Sequence, residues 1–271
     1  GGFRNSMSNC LTVFQCDPLL SGAVAYNLLT DRTDILKPIG YKRTAGSPMT
    51  DTDMKYIRLY LEKTYGLTSE KKIQDAAALA ADENSYHPVR DYLNGLTWDG
   101  TERIRSCLRH FLGAGEDEYT FQSLRLFLLG AIHRAFSPGC KFEVMLCLVG
   151  GQGAGKSTFF RLLAVKDEWF SDDLRKLDDD NVYRKLQGHW IIEMSEMIAT
   201  ANARSIEEIK SFLSRQKEVY KIPYETHPAD RPRQCVFAGH PMPLTSCPLT
   251  VQETAASFLY RYARNRRKHT F

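Results

Sequence analysis

Residues 144–163 read VMLCLVGGQGAGKSTFFRLL, and this stretch decides the predicted fold. Residues 144–149 are an apolar run typical of a buried strand, and residues 157–163 have the pattern of a helix. Between them, Gly150 to Ser157 match G-x-x-x-x-G-K-[ST], the phosphate-binding P-loop. A strand, a glycine turn and a helix in this order are the context that the motif requires. The sequence therefore favours a phosphate-binding loop over a glycine-rich turn that binds nothing.

Each part of the predicted loop has a role in holding phosphate. Glycines let backbone N–H groups turn toward phosphate oxygens, and the helix N-terminus adds a partial positive charge. Lys156 is expected to reach the β- and γ-phosphates, and the Ser157 hydroxyl to ligate Mg²⁺. The predicted nucleotide-binding residues are Gly150, Gly151, Gln152, Gly153, Ala154, Gly155, Lys156, Ser157 and Thr158.

A second motif supplies the acidic groups that such a loop needs. Residues 189–196 read HWIIEMSE, an apolar run that ends in acid. An acid at a strand end holds Mg²⁺, and a second polar group orients the attacking water. We predict Glu193 for the metal and Glu196 as the base, with exchanged roles or two merely exposed glutamates as alternatives. The prediction assumes that this strand neighbours the strand of the loop, and it makes Lys156, Glu193 and Glu196 the catalytic residues.

The segment from residue 210 to residue 233 is basic and aromatic. Basic side chains bind phosphates and aromatic rings stack on bases, so this composition suits a single-stranded nucleic acid. Residues 217–224 are expected to form one arm of a hairpin. An ordinary solvated face explains the same pattern equally well. The candidate nucleic-acid contacts are Lys210, Arg215, Lys217, Lys221 and Tyr224.

Helices and strands are predicted on both sides of the loop. Before it, a short helix starts at Pro88, a turn covers residues 97–100, and longer helices cover residues 51–66, 69–83, 101–112 and 118–136. After it, helices at 178–187 and 204–215 alternate with strands at 169–171, 190–193 and 234–239. This alternation predicts a parallel sheet with right-handed crossovers. Residues 1–50 are turn-rich and show no clear division.

Bulk composition predicts a cytoplasmic protein without a membrane span. No apolar run approaches the ~20 residues that cross a bilayer, and the first residues do not form a signal peptide. The seven cysteines are odd in number and form no C-x-x-C pair, which indicates reduced thiols. The net charge of +4 comes entirely from residues 240–271, so global charge says little about partners.

With these residues in view, the chain resembles the virulence-associated protein E family. Besides the loop, the resemblance is carried by residues 58–66, 87–93, 96–100, 138–142, 169–172, 190–193, 209–216 and 232–237. Members are primase-helicase-like proteins of phages and mobile islands, with an ATPase domain similar to superfamily 3 helicases and the AAA+ class. The resemblance implies a ring-forming, nucleic-acid-stimulated ATPase that acts in replication. It also implies that a primase-type region precedes this segment in a longer chain.

The chain departs from the family pattern after Gly239. The family would continue with Thr-Ser/Thr-Asn and later with Asp-Arg-Thr-Gly-Asn-Arg-Arg-Phe, which hold a polar sensor and candidate arginine fingers. Here His240-Pro241-Met242-Pro243 follows instead. When residues 249–258 are read one base earlier, permitted codons give Leu-Asp-Arg-Thr-Gly-Asn-Arg-Arg-Phe-Leu. We therefore hypothesise a single-base deletion near the Gly239 codon, which makes residues 240–271 an out-of-frame tail and removes a C-terminal strand.

Together these features predict an α/β P-loop ATPase of the superfamily 3/AAA+ type. A parallel sheet flanked by helices at residues 116–239 is expected to follow a mainly helical region at residues 1–115. The predicted activity couples ATP hydrolysis to DNA remodelling, with ATP and Mg²⁺ as cofactors and impairment by the altered C-terminus. Single-stranded DNA and a homo-oligomeric ring are the predicted partners. A P-loop phosphotransferase acting on a small molecule and a non-catalytic nucleotide-binding interaction protein are the alternatives.

Overall fold

A computed structural model describes residues 4–174, 177, 182–194, 203–220 and 229–240. The chain divides into two units, residues 1–95 and residues 96–271. Residues 96–115, which the sequence analysis groups with the helical region, belong to the second unit. The described part of the chain contains no helix that is both long and apolar enough to cross a membrane.

The described residues of the first unit form four helices and a small sheet that the sequence does not predict. Its helices are α1 (Met7–Cys16), α2 (Asp51–Tyr65), α3 (Glu70–Glu83) and α4 (Pro88–Asn94). Its antiparallel sheet has the order β1 (Val24–Asn27), β2 (Arg32–Ile35), β3 (Ser47–Pro48). The predicted helices are confirmed. The strands escape sequence analysis because they are short and because β2 begins with Arg32, Thr33 and Asp34 instead of an alternating apolar pattern.

Helix α2 shows how local signals determine the ends of the long helices. Thr50 and Asp53 form a capping box at its start, and Gly66 ends it with a left-handed φ of 69°. Between these ends, Ile57 and Leu61 are fully buried in the core of the first unit. The caps are visible in the sequence, and the predicted bounds therefore agree with the observed ones.

The second unit begins with helices and continues with alternating strands and helices. Its elements in chain order are α5 (Ile104–Leu112), α6 (Glu118–Phe136), β4 (Met145–Cys147), α7 (Lys156–Leu163), β5 (Phe170–Ser171), α8 (Val182–Leu186), β6 (Ile191–Glu193), α9 (Ala203–Ser214), β7 (Lys217–Tyr220), β8 (Ala229–Pro232) and β9 (Val236–Gly239). Helix α5 begins later than predicted because Asp99 accepts hydrogen bonds from the Thr101 N–H and the Arg103 guanidinium, which extends the preceding turn.

In the part of this unit that the structure describes, four parallel strands form the main sheet. Their order is β4-β9-β6-β5, and each neighbouring pair is parallel. The predicted mixed α/β fold with a parallel sheet is therefore confirmed. The expectation that β6 neighbours the loop strand β4 is wrong, because β9 lies between them. Within the described residues, β4 is an edge strand of this sheet.

Helix α6 is tied to the loops and strands of the sheet by buried polar side chains. The Trp190 indole N–H donates to the Ala131 carbonyl at 2.9 Å. Arg134 is 1% exposed, and its guanidinium donates to the carbonyls of Cys235 at 3.3 Å and Phe142 at 2.9 Å. On the sheet, Ile192 and Phe237 pack with Phe212 of α9 in one buried cluster. These contacts hold β6 and β9 in fixed positions relative to the helices.

The predicted hairpin arm is confirmed for residues 217–220, which pair antiparallel with β8. Residues 221–224, the rest of the predicted arm, lie outside the described residues.

Candidate functional site

The carboxyl ends of three parallel strands converge at one edge of the sheet. β4 leads into the glycine-rich loop, β6 ends at Glu193, and β9 leads to His240. The strand ladder aligns Cys147 with Gly239 and Glu193 with Ala238, so these ends lie at the same level. Ligands of parallel α/β sheets bind outside the carboxyl ends of the strands. This edge is therefore the place where the sequence motifs meet.

The loop itself is an exposed turn that depends on two glycines. Gly153 and Gly155 have φ values of 78° and 80°, a left-handed conformation that other residues rarely adopt. Gly155 is also the N-cap of α7, and no side chain caps the helix there. The first-turn N–H groups of a helix have no intrahelical acceptor. The loop therefore presents backbone donors and a helix N-terminus at the same place, an arrangement suited to an anion.

Lys156 lies beneath the loop. Its side chain is 9% exposed, and its ammonium donates to the carbonyl oxygens of Gly150 at 2.9 Å and Gly151 at 2.7 Å. These two bonds use two of the three ammonium protons. A positive charge is thus held at the base of the loop, while its predicted contact with phosphates stays a prediction.

Ser157 and Glu193 are in contact although β4, which leads into the loop, and β6 are not neighbouring strands. The Ser157 hydroxyl donates to Glu193 Oε1 at 2.9 Å. Helix α7 packs against β6, which brings its first turn to the end of that strand. Glu193 is 3% exposed, so its carboxylate is buried at the floor of the site. The structure therefore joins the two residues that the sequence predicts as metal ligands.

His240 is a member of this cluster that the sequence analysis assigns to the tail. Its Nε2 lies 3.0 Å from Glu193 Oε1 and 3.3 Å from Ser157 Oγ. No motif of the sequence indicates this position. It follows from the central place of β9, which strand order alone reveals. The one feature of the sequence that agrees with this position is that His240 comes directly after an apolar strand, much as Glu193 ends one.

The two predicted metal ligands at this edge have the chemistry that Mg²⁺ prefers. Mg²⁺ prefers oxygen ligands, and it is bound through one or two carboxylates together with phosphate oxygens and water. Ser157 Oγ and Glu193 Oε1 are two such oxygens at 2.9 Å from each other. Among the described residues, no group of three or more His, Cys, Asp or Glu side chains could hold a metal. A cation at this edge would therefore need the Ser157 hydroxyl.

The remaining candidates lie away from this edge or outside the described residues. Lys210 pairs with Glu207 at 2.8 Å, Arg215 lies 3.9 Å from Glu218, and Lys217 pairs with Asp230. The described basic residues of the proposed nucleic-acid face are thus each opposed by an acid. Glu196, Lys221 and Tyr224 fall outside the described residues, as do residues 241–271.

Comparison with known proteins agrees with these motifs. The fold and site define a mixed α/β protein whose glycine-rich loop and buried acid share one edge of a parallel sheet. The virulence-associated protein E-like domain matches residues 93–240, and the chain belongs to this family. The resemblance to this family that the sequence indicates is thereby confirmed. The resembling segments at residues 58–66 and 87–92 lie outside the matched range.

Similar solved structures include apo forms of the NrS-1 C-terminal region. One has a TM-score of 0.47 and 13% identity, covering 81% of this chain and 53% of that one. Another has a TM-score of 0.45 and 12% identity, covering 89% of this chain and 58% of that one. The chain thus spans little more than half the length of these structures. A search among curated proteins finds no match.

Proposed function

We propose that the second unit is a P-loop ATPase module of a mobile-element replication protein. The observation that carries the proposal is the 2.9 Å hydrogen bond between Ser157 Oγ and Glu193 Oε1. It joins the hydroxyl of the loop motif to a buried acid at a strand end, the two groups that a nucleotide-bound cation requires. This contact favours a nucleotide site over a glycine-rich turn that binds nothing.

Each residue of the site has a separate role in the proposed phosphoryl transfer. The loop amides and the N-terminus of α7 bind phosphate oxygens, and the Lys156 ammonium offsets their charge. Ser157 and Glu193 would hold Mg²⁺, and the chemistry supplied there is neutralisation of charge on the β- and γ-oxygens. Glu196 is proposed as the group that orients the attacking water, in keeping with its position three residues after Glu193.

A nucleic-acid partner and a ring assembly belong to the same proposal. The basic residues Lys210, Arg215 and Lys217 are all more than 40% exposed. The ion pairs of Lys210 and Lys217 lie at the surface, whereas Arg215 lies 3.9 Å from Glu218, whose side chain is 7% exposed. Exposed pairs are worth about 0 to 1 kcal/mol, so exchanging a carboxylate for a nucleic-acid phosphate costs little. The acids beside Lys210 and Lys217 therefore do not argue against single-stranded DNA, and family membership favours it over a small-molecule acceptor.

Binding of a fluorescent ATP analogue, measured with and without Mg²⁺, tests the nucleotide site. We expect Lys156→Ala to weaken binding in both conditions. Ser157→Ala should remove the gain that Mg²⁺ provides and leave Mg²⁺-free binding unchanged. Ser211→Ala, an exposed serine of α9, is the matched control. Equal Mg²⁺ dependence in Ser157→Ala and the unaltered chain would contradict the proposed site.

Turnover tests the reading-frame hypothesis. An arginine finger contributes about 10³ to 10⁵ in rate, so this chain should hydrolyse ATP poorly and a frame-restored chain should hydrolyse it far faster. The family match stops at residue 240, close to the Gly239 codon where the hypothesis puts the deletion. ATP turnover by the present chain at a normal enzymatic rate, abolished by Lys156→Ala, would contradict the predicted impairment.

DNA stimulation separates the alternatives. A frame-restored chain whose turnover rises with single-stranded DNA supports the helicase-like reading, and unchanged turnover favours a small-molecule phosphotransferase. Association of the present chain with frame-restored subunits in the absence of turnover would indicate the non-catalytic interaction protein.

A further inference from the structure

Three atoms that could each ligate a metal form a nearly equilateral triangle at the carboxyl edge of the sheet. Ser157 Oγ and Glu193 Oε1 are 2.9 Å apart, Glu193 Oε1 and His240 Nε2 are 3.0 Å apart, and Ser157 Oγ and His240 Nε2 are 3.3 Å apart. The three atoms come from three different elements, namely the start of α7, the end of β6 and the residue after β9. Their approach is therefore a property of the fold and not of one local turn.

The backbone next to His240 is fixed by the sheet. The Leu148 N–H donates to the Gly239 carbonyl at 2.9 Å, and the Met194 N–H donates to the Ala238 carbonyl at 2.8 Å. Residues 238 and 239 are thus bonded on both sides, to the strand of the loop and to the strand of Glu193. His240 leaves the sheet between these two neighbours, and its side chain is one-third exposed.

The size of the triangle matches one face of a metal coordination octahedron. Two ligands at right angles, each about 2.1 Å from a cation, lie about 3.0 Å from each other. The measured separations of 2.9, 3.0 and 3.3 Å all lie near this value. A cation above the face could meet all three atoms with little rearrangement of the side chains.

We propose that Ser157, Glu193 and His240 form a three-ligand site that selects a first-row transition metal, such as Mn²⁺ or Co²⁺, over Mg²⁺. The inference rests on the proposed function only in placing the cation at the metal end of the loop site. An imidazole nitrogen suits transition metals, whereas Mg²⁺ prefers an all-oxygen shell. The Glu193 carboxylate supplies negative charge, and its burial at 3% exposure keeps competing water away. In this chain His240 is thereby a specificity-determining ligand, and a frame-restored chain, which the reading-frame hypothesis gives Thr in place of His240, would not have this ligand.

Metal binding by the full-length chain in the absence of nucleotide tests this proposal. Co²⁺ is followed by its visible absorption, Mn²⁺ by its electron paramagnetic resonance signal, and Mg²⁺ by competition against Mn²⁺. We expect Co²⁺ and Mn²⁺ to bind more tightly than Mg²⁺. His240→Ala should weaken Co²⁺ binding by on the order of tenfold or more, at least what loss of an outer-shell partner costs. His133→Ala removes an exposed histidine of α6 and should change nothing.

A second variant keeps the test informative if His240→Ala does not fold. His240→Asp replaces the nitrogen by oxygen, so the preference should move toward Mg²⁺ while the cation still binds. Equal Co²⁺ affinity in His240→Ala and the unaltered chain would overturn the proposal, as would an unchanged metal preference in His240→Asp.

The two proposals of the site fail in different ways. Nucleotide binding that depends on Lys156, together with metal binding indifferent to His240, removes the metal selection and leaves the ATPase proposal standing. Co²⁺ binding that depends on His240, in a chain that binds no ATP analogue, supports the metal site and removes the nucleotide function.

Discussion

At the scale of single residues, Asp17 holds a charge inside the first unit. Its Oδ2 accepts hydrogen bonds from the Tyr65 hydroxyl at 2.6 Å and the Tyr60 hydroxyl at 2.9 Å, and its Oδ1 accepts from the N–H groups of Leu19 and Leu20. Burial by itself raises the pKa of Asp17, but these hydrogen bonds together outweigh burial and lower it. The same contact with Asp17 raises the pKa of Tyr65 to about 12.

Tyr65→Phe is expected to change how stability depends on alkaline pH. The folded pKa of Tyr65 lies above its unfolded value of about 10, so its contribution is complete below that pH. It is lost as pH rises through the folded value of about 12. At neutral pH the variant should lose about 1 kcal/mol, a typical net hydrogen bond. Urea unfolding at neutral pH and between pH 10 and pH 12 measures both effects.

Tyr56→Phe is the control for that experiment. Tyr56 is 46% exposed, and its ring stacks on Tyr41 without a hydrogen bond to Asp17. It should follow the unaltered chain across the whole pH range. Parallel alkaline losses in Tyr65→Phe and the unaltered chain would show that the Asp17 contact does not stabilise the fold.

Single residues of the site differ in how far the sequence can predict them. Lys156 and Ser157 belong to a motif whose spacing encodes their geometry, and Glu193 follows an apolar strand. His240 contacts Ser157 and Glu193 only because β9 inserts between two earlier strands. Periodicity along the chain holds no information about such an insertion, so the residue could not be predicted.

At the scale of elements, the β7–β8 hairpin is anchored by a buried ion pair. Arg233 follows β8 and is 3% exposed, and its Nε donates to Glu218 Oε1 of β7 at 2.7 Å. The guanidinium also lies 4.2 Å from the centre of the Phe212 ring and donates to the Phe212 carbonyl. One side chain thus joins the hairpin to α9.

Arg233→Met should destabilise the protein strongly. Removing one member of a buried pair costs about 3 to 5 kcal/mol, and it leaves Glu218 with only the more distant guanidinium of Arg215, 3.9 Å away. Lys217→Met breaks the exposed pair with Asp230 on the same hairpin and should cost about 0 to 1 kcal/mol. Urea denaturation of both variants compares them directly. Equal losses would mean that burial of the Arg233 pair has no energetic consequence.

Helix α6 contains a glycine that its neighbour requires. A Cβ built on Gly130 would lie 2.1 Å from Cζ of Phe142, a severe overlap. Alanine is the better helix former by about 1 kcal/mol, yet Gly130→Ala should destabilise the second unit by about 1 to 3 kcal/mol through overpacking. Thermal unfolding of Gly130→Ala and of Gly130→Ala/Phe142→Leu tests the reason. The double variant should recover stability, and failure to recover would contradict the steric account.

Helices were predictable in proportion to their length and to the clarity of their ends, and strands in proportion to their apolar character. Helix α2 carries a capping box and a C-terminal glycine, and α6 is long and starts at a capping Asp117. β1, β2 and β3 have four residues or fewer and include buried polar groups such as Asp34. The strands of the second unit are as short but were recognised as apolar runs, which β2 and β3 lack. Hydrogen bonds from Asn27 and Tyr86 to Asp34 form only in the folded unit, so the sequence gives no sign of them.

At the scale of the whole molecule, the first unit has a core of its own. Phe14, Leu20, Ile35, Ile57 and Ile73 are all buried in one cluster, and every member of that cluster lies within residues 1–95. A unit with its own core is expected to fold alone.

A fragment of residues 1–95 should therefore unfold cooperatively. We expect circular dichroism to show its helices and a single thermal transition. Leu61→Ala, which truncates a fully buried side chain, should lower the midpoint because such a change costs about 2 to 5 kcal/mol. The exposed Leu59→Ala is the control. A fragment without a transition would show that the unit depends on the rest of the chain.

The central place of β9 also has a consequence for how the protein emerges from the ribosome. The first unit can fold as soon as it has left the exit tunnel. The sheet of the second unit must wait, because the strand that joins β4 to β6 is the last one of the described chain to be made. Until β9 has been synthesised, no strand links β4, which leads into the loop, to β6, which ends at Glu193. A nascent chain arrested before β9 would carry the whole phosphate-binding motif but lack the strand that links β4 to β6, and only the packing of α7 on β6 could hold the motif beside Glu193.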